Sequence, residues 1–205
     1  QAKRQVGSSF KPFVYLAALE KGYTPASIVL DAPVVFRTGD QEWKPQNYDN
    51  KIGGPTTLRQ GLEKSRNLMT VRLAQDVGLK AIADVVRRCG ISDRVPLTDL
   101  TVVLGSLDFT LLDMTAAYAV FPRGGLYVPP RVITRVQDSS GQTLQRAAAA
   151  CEGCMQTYGA TPDKLPAPPA LPATPVVSPQ LAYQMTSMLQ GVVQRGTGYS
   201  VHDLG

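Results

Sequence analysis

The stretch Gly7-Ser8-Ser9-Phe10-Lys11-Pro12 lies near the start of the chain and predicts how the rest is organised. Residues 13–22, which follow it, are mostly helix-forming and end in a glycine, a residue typical of helix ends. Pro12 is tolerated in the first turn of a helix, because the amide hydrogen it lacks would have no partner there. Residues three apart share one helix face, so we expect Ser8 and Lys11 to lie side by side.

The pair Ser8 and Lys11 suits nucleophilic catalysis. A serine hydroxyl is a weak nucleophile and needs a base beside it. A lysine can be that base if its pKa falls from about 10.4 toward 7. The helix N-terminus favours this fall, and the first carboxylate after Ser8 in the sequence is Glu20. A Ser-x-x-Lys pattern also arises by chance, so the interpretation needs support from other residues.

That support comes from Ser65-Arg66-Asn67. Residues 57–60 have the pattern of a capping box and predict a short helix, and residues 68–77 predict a second helix ended by a glycine. We therefore expect Ser65 and Asn67 at the junction of two helices, with their side chains pointing into a cleft. Asn67 is also a residue type that caps helices, and the two roles are compatible.

Taken in order, these segments resemble the transpeptidase domain of class A penicillin-binding proteins, bifunctional enzymes that build bacterial peptidoglycan. The resemblance covers almost all of residues 1–146 and 176–205. Besides the two motifs, it rests on Trp43-Lys44-Pro45-Gln46-Asn47-Tyr48, Thr57-Leu58-Arg59, Leu104-Gly105, Asp113-Met114-Thr115-Ala116-Ala117-Tyr118, Gly124-Gly125 and Val192-Val193-Gln194-Arg195-Gly196-Thr197-Gly198.

The resemblance implies an α/β (α+β) fold of the penicillin-binding protein and β-lactamase-like kind. We expect a helical subdomain plus part of an antiparallel sheet, truncated at both ends. Residues 1–146 would form the transpeptidase helical core with both motifs and a β-hairpin. Residues 147–177 would be a surface insert rich in alanine, cysteine and proline, and residues 178–205 a helix leading toward a third-motif strand.

One departure from the family concerns that third motif, Lys-Thr-Gly. It does not occur in the sequence, and Gly196-Thr197-Gly198 lacks the lysine. The chain also begins at Gln1 rather than at methionine. We therefore expect an internal piece of a larger enzyme, impaired or inactive by itself.

The resemblance also implies a reaction. Ser8 would be acylated by D-Ala-D-Ala stem peptides of peptidoglycan, or by β-lactam antibiotics that mimic them. Lys11 would act as its base, Ser65 would pass the proton to the leaving amine, and Asn67 would bind the substrate amide and orient Lys11. No metal or organic cofactor is implied. The parent would carry a glycosyltransferase domain and a membrane anchor, and would act on the periplasmic side of the bacterial inner membrane.

Three other functions are alternatives to this one. A Ser-His-Asp hydrolase fits poorly, because no Gly-x-Ser-x-Gly motif occurs and His202 lies near the C-terminal end. A β-lactamase and a non-catalytic β-lactam-sensing receptor of the same superfamily are closer. Residues 57–59 and 193–197 favour the synthase over both.

Composition excludes some other classes. The 205 residues with 43% hydrophobic content are enough to bury one core. The net charge of +5 is spread along the chain, which argues against a nucleic-acid surface. This piece has neither a secretory signal nor a long apolar run, so we expect no membrane span within it.

The cysteines predict no metal site. Cys89 is best explained as a small buried residue at a helix end. Cys151 and Cys154 form a Cys-x-x-Cys, but zinc needs two further ligands and the sequence has one histidine. A local disulfide and two free thiols both remain open for this pair.

The remaining segments predict supporting structure. Residues 34–36 read as a short strand, 111–121 as a core helix with an apolar stripe, and 131–138 with 142–145 as a hairpin. Trp43 is better explained by core packing than by a place on the cleft rim. The proline-dense segment 147–177 predicts an extended surface excursion. Ser178, Pro179 and Gly196 mark the start and end of a last helix.

Overall fold

Helix α1 (Lys11–Glu20) lies at the centre of the protein. The computed structural model describes residues 2–38, 41–91, 99–133, 135–146 and 173–204. Every residue of α1 from Lys11 to Leu19 is buried, as expected for a helix that is apolar nearly all round. The other helices are α2 (Leu58–Glu63), α3 (Asn67–Val77), α4 (Leu79–Arg88), α5 (Leu111–Tyr118) and α6 (Pro179–Arg195), and α1 packs directly against α2, α3, α4 and α6.

The strands are short and pair antiparallel in twos. The pairs are β1 (Lys3–Gln5) with β6 (Asp108–Thr110), β2 (Ile28–Asp31) with β5 (Gly54–Thr57), β3 (Phe36–Thr38) with β4 (Gln41–Trp43), β7 (Leu126–Tyr127) with β10 (Thr174–Pro175), and β8 (Arg135–Gln137) with β9 (Thr143–Arg146). Short 3₁₀ helices cover Gly7–Phe10, Leu100–Leu104 and Tyr199–Leu204. This mixture agrees with the predicted α/β (α+β) class.

An aromatic cluster anchors the start of α1 to α5. The rings of Phe10, Phe13, Tyr118 and Phe121 have neighbouring centroids 5.7–6.0 Å apart. Each such pair contributes about 0.5–1.5 kcal/mol beyond the burial of its area. The Tyr118 hydroxyl also donates to the carbonyl of Ser9 at 2.7 Å. The turn that carries Ser8 is therefore fixed from the side of α5.

Gly105 also holds the turn that carries Ser8. The Gly7 amide donates to the Gly105 carbonyl at 2.9 Å, directly after the β1–β6 pair. Gly105 has a φ of +86°, and a Cβ at that position would lie 1.9 Å from the Gly7 carbonyl oxygen. Both the conformation and the space admit only glycine.

The predicted helix boundaries are largely confirmed. The Thr57 hydroxyl caps α2 by accepting from the Gln60 amide at 3.2 Å, and Gly78 ends α3. The Ser178 hydroxyl accepts from the Leu181 amide at 3.3 Å at the start of α6, which ends before Gly196. Cys89 directly follows α4 and is fully buried, as expected.

Several predicted positions were wrong. Strand β3 begins at Phe36, so Val34 and Val35 lie outside it, because the pairing of Phe36 with Trp43 sets where it starts. Helix α5 ends at Tyr118, and Leu111 in its first turn is 83% exposed rather than in the core. In the hairpin, both strands differ in extent from the predicted 131–138 and 142–145.

Trp43 is partly buried and packs against Phe36, with ring centroids 5.5 Å apart, which supports core packing. The Cys151–Cys154 pair and most of the predicted 147–177 insert lie outside the described residues. Within the described part of the chain, none of the helices is both long enough and apolar enough to cross a bilayer.

Candidate active site

Lys11 is the most unusual residue of the site, because its side chain is almost completely buried at 1% exposure. Its Nζ donates to the Ser65 carbonyl at 2.6 Å, the Ser65 hydroxyl at 2.8 Å and Asn67 Oδ1 at 2.6 Å. Burial lowers the pKa of Lys11 to about 8. The predicted fall in pKa is therefore present, and burial of the amine away from solvent causes it.

Ser65 sits between α2 and α3 in a left-handed conformation, with a φ of +53°. Such a conformation costs a residue other than glycine about 1–3 kcal/mol, and it concentrates at functional sites. Here it brings both the carbonyl and the hydroxyl of Ser65 to Lys11. Ser65 therefore lies at the predicted helix junction. The hydrogen bond from Lys11 to its backbone carbonyl is a contact that the sequence did not predict.

Asn67 is the first residue of α3, and its side chain does not cap the helix. Its Oδ1 accepts from Lys11, and its Nδ2 donates to the Gln46 carbonyl at 2.8 Å. The capping role falls to Asn47, whose Oδ1 accepts from the amides of Asn67 at 2.8 Å and Leu68 at 3.3 Å. This role of Asn47 is not predictable from the sequence, because no local pattern connects it to a helix that starts twenty positions later.

Ser8 lies in the 3₁₀ turn before α1 and is exposed to solvent. It lines two cavities, one of about 400 Å³ with Lys11 and Tyr118 and one of about 720 Å³ with Asn67. Ser8, Ser65 and Thr197 line both cavities. The structure therefore brings all four predicted site residues to one cleft.

The opposite wall of this cleft is the end of α6. Glu63, which is buried at the end of α2, accepts from Arg195 Nη2 at 2.6 Å and from Arg195 Nε at 3.0 Å. The Thr197 amide donates to the Glu63 carbonyl at 3.0 Å. A Cβ at Gly191 would lie 2.0 Å from Glu63 Oε1, and one at Gly196 would lie 2.2 Å from the Glu63 carbonyl oxygen. The wall thus fits closely around Glu63.

Replacing Arg195 by alanine should lower the free energy of unfolding by about 1–2 kcal/mol, since it leaves a buried carboxylate with a weaker partner. Arg59 is that partner, at 4.0 Å from Glu63. Thermal unfolding of the full-length protein measures the effect. Arg123→Ala, an exposed arginine, is the control and should change stability by less than about 0.5 kcal/mol. Equal melting temperatures for both variants would contradict the role of the pair.

The hydrogen bonds of Lys11 limit what the site can do chemically. An ammonium has three donors, and all three are used by Ser65 and Asn67. Of the three acceptors, a carbonyl and an amide oxygen cannot donate, whereas the Ser65 hydroxyl can. Once Lys11 has lost a proton, Ser65 is thus the partner that can exchange one with it. No group of three or more His, Cys, Asp or Glu side chains that could hold a metal ion occurs among the described residues.

Comparison with known proteins places this geometry in a family. Residues 1–203 match the family described as the penicillin binding protein transpeptidase domain. Penicillin-binding protein 1A of Rickettsia bellii (strain RML369-C) is 42% identical over 208 residues, which cover 100% of this chain and 26% of that protein. The chain thus spans about a quarter of the length of the curated relatives it matches.

Solved structures agree with this match. The crystal structure of penicillin-binding protein 1A from Haemophilus influenzae superposes with a TM-score of 0.85 at 34% identity, covering 99% of this chain and 33% of that one. A ceftriaxone acyl-enzyme complex of penicillin-binding protein A from M. tuberculosis has a TM-score of 0.74 at 19% identity, covering 94% of this chain and 43% of that one. The fold and the family resemblance predicted from the sequence are confirmed.

Proposed function

Because the chain belongs to the penicillin-binding protein transpeptidase family, we propose that it carries the serine nucleophile of a D,D-transpeptidase that cross-links peptidoglycan. The observation that supports this most is the buried Lys11, whose three hydrogen bonds go to Ser65 and Asn67 in the cleft that Ser8 lines. A lysine with a pKa of about 8 is a base that works near neutral pH.

The proposed reaction has two acyl transfers. Ser8 Oγ attacks the carbonyl carbon of the penultimate D-alanine of a stem peptide, and its proton passes to the neutral amine of Lys11. The C–N bond to the terminal D-alanine breaks, and Ser65 relays the proton from Lys11 to the leaving amine. The amine of a second stem peptide then attacks the acyl-enzyme, loses a proton along the same route and releases Ser8.

Two further groups support these steps. The Ser8 amide lies in the first turn of its 3₁₀ helix, where N–H groups lack partners within the helix, so it can donate to the developing oxyanion. Asn67 both orients Lys11 through Oδ1 and lines the larger cavity, where it binds the substrate amide.

The chain is proposed to act within a longer enzyme. It spans about a quarter of its curated relatives. We propose that the parent also carries a glycosyltransferase domain and a membrane anchor and acts in the periplasm. Within this chain, the proposed organisation is a core at 1–146, an insert at 147–177 and a final helix at 178–205. Partners are peptidoglycan stem peptides and β-lactams. An acyl-enzyme with ceftriaxone is known for a protein of the same fold.

Mass spectrometry of the full-length protein after incubation with a fluorescent penicillin tests the proposal. We expect one covalent adduct, located by peptide fragmentation on Ser8. The adjacent serine gives a matched control, and Ser9→Ala should still be labelled. An adduct on Ser9, or none on a folded protein, would contradict the assignment. Release of the adduct within seconds would instead indicate a β-lactamase.

A further inference from the structure

The loop between β4 and β5, residues 44–53, contacts the active site through a buried amide. Asn47 is 4% exposed, although its neighbour Tyr48 is fully exposed. The Asn47 side chain uses its complete hydrogen-bonding capacity. Its Oδ1 accepts from the amides of Asn67 and Leu68, and its Nδ2 donates to Asp31 Oδ1 at 2.7 Å and to the Lys51 carbonyl at 2.8 Å.

These partners fix the orientation of the Asn47 amide. The oxygen faces two N–H groups, while the nitrogen faces a carboxylate and a carbonyl, so a flipped amide would lose all four bonds. Asp31 is itself fully buried and accepts from the Gly53 amide at 2.9 Å. Arg66 Nε lies 3.6 Å from the same carboxylate. The position of Asn47 is therefore set by the buried Asp31 side chain rather than by the exposed part of its loop.

The same loop also orients the Asn67 side chain. The Gln46 carbonyl accepts from Asn67 Nδ2, which leaves Oδ1 to face Lys11. Consecutive residues of the loop therefore hold both the backbone and the amide of Asn67. A continuous chain of hydrogen bonds leads from Asp31 through Asn47 and Asn67 to the ammonium of Lys11.

We infer that Asn47 is a positioning residue for acylation of Ser8: it holds the start of α3 so that Asn67 keeps Lys11 in line with the nucleophile. Asn47 lines the larger cavity, but all four hydrogen bonds of its side chain go to protein atoms, so it acts on Lys11 through Asn67. This role rests on the proposed transpeptidase function, and it concerns the chemical step rather than the binding of the ligand.

The test separates those two steps in the full-length enzyme. Stopped-flow labelling over a series of penicillin concentrations gives the acylation rate constant k2 and the dissociation constant Ks of the complex formed before acylation. Asn47→Ala should lower k2 about 10- to 100-fold, the range found when residues that orient a functional side chain are lost. Ks should stay close to wild type, whereas the melting temperature should fall, because Asp31 and the first amides of α3 lose a buried partner.

The control is Asn50→Gly, which removes an exposed amide from the same loop at a φ of +56°, a conformation that glycine adopts freely. It should leave k2 unchanged. A k2 for Asn47→Ala equal to that of Asn50→Gly would overturn the inference. So would a loss of labelling that only follows the unfolded fraction, with k2 of the folded protein unchanged, since that would show a role in folding alone.

A second pair of variants covers the case in which Asn47→Ala does not fold. Asn47→Asp keeps the acceptor for both α3 amides but sets a carboxylate against Asp31, so k2 should fall. The exchange Asn47→Asp with Asp31→Asn restores a donor–acceptor pair between the two positions and should recover most of the lost rate. An exchange variant as slow as Asn47→Asp would overturn the inference. Wild-type protein that is not labelled at Ser8 would instead refute the proposed function.

Discussion

Replacing Lys11 by methionine should lower the rate constant of acylation at Ser8 by about 10³-fold, the middle of the range for loss of a positioned general base. Methionine has a similar length and suits a site with 1% exposure, so the variant is expected to fold. Stopped-flow labelling with a fluorescent penicillin measures the rate. Lys80→Met, an exposed lysine on α4, is the matched control and should react like wild type.

The pH dependence of the same reaction checks the state of Lys11. The base acts as the neutral amine, and its pKa of about 8 leaves most of it protonated at neutral pH. Acylation should therefore rise about tenfold per pH unit below 8 and level off above it. In Lys11→Arg the guanidinium stays charged over the whole range, so both the rate and its rise should be lost. A wild-type profile that is flat from pH 6 to 9 would contradict Lys11 as the base.

Replacing Gly105 by alanine should lower the free energy of unfolding by about 3 kcal/mol, adding the cost of a positive φ to that of a displaced backbone. The new Cβ would meet the Gly7 carbonyl oxygen at 1.9 Å, so the turn that carries Ser8 must shift. A shift of this kind next to the nucleophile should also slow acylation about 100-fold. Thermal unfolding and the labelling rate measure the two effects.

Gly141→Ala separates the cost of the positive φ from the cost of the contact between position 105 and Gly7. Gly141 has a φ of +84°, close to that of Gly105, but a Cβ there would meet nothing within 4 Å. This variant should cost about 1 kcal/mol and leave the labelling rate unchanged. If both alanine variants lost the same stability and labelled equally fast, the close approach of Gly105 to Gly7 would have no role in placing the nucleophile.

The residues of the candidate site that the sequence predicts are those whose roles depend on short spacing. Ser8 and Lys11 are three apart on one helical turn, and Ser65 and Asn67 flank the start of a helix whose boundaries are readable from the sequence. Local helix rules therefore place each motif, and the family resemblance predicts that the two meet. Burial, which lowers the pKa of Lys11, is a property of the packed chain, so local rules do not predict it.

The interactions that escape prediction join distant positions. Arg195 and Glu63 are 132 residues apart, and their partnership depends on how α6 packs on α2. Leu111 fits the apolar stripe of α5, yet it lies in a first turn that the described residues leave uncovered. Strand β3 starts at Phe36 because of its partner strand, although Val34 and Val35 have equal strand propensity.

The 44–53 loop contains both buried and exposed residues. Pro45 and Asn47 are buried, whereas Tyr48, Asp49 and Lys51 are exposed. Those three line the larger cavity together with Asn47. Substitution of the exposed side chains of Tyr48 and Lys51 would change the lining of the larger cavity and leave the Asn47 amide in place. Under the proposed function, selection by β-lactams would change positions 48 and 51 more readily than position 47. Substitution rates would then differ between neighbouring positions of this one loop.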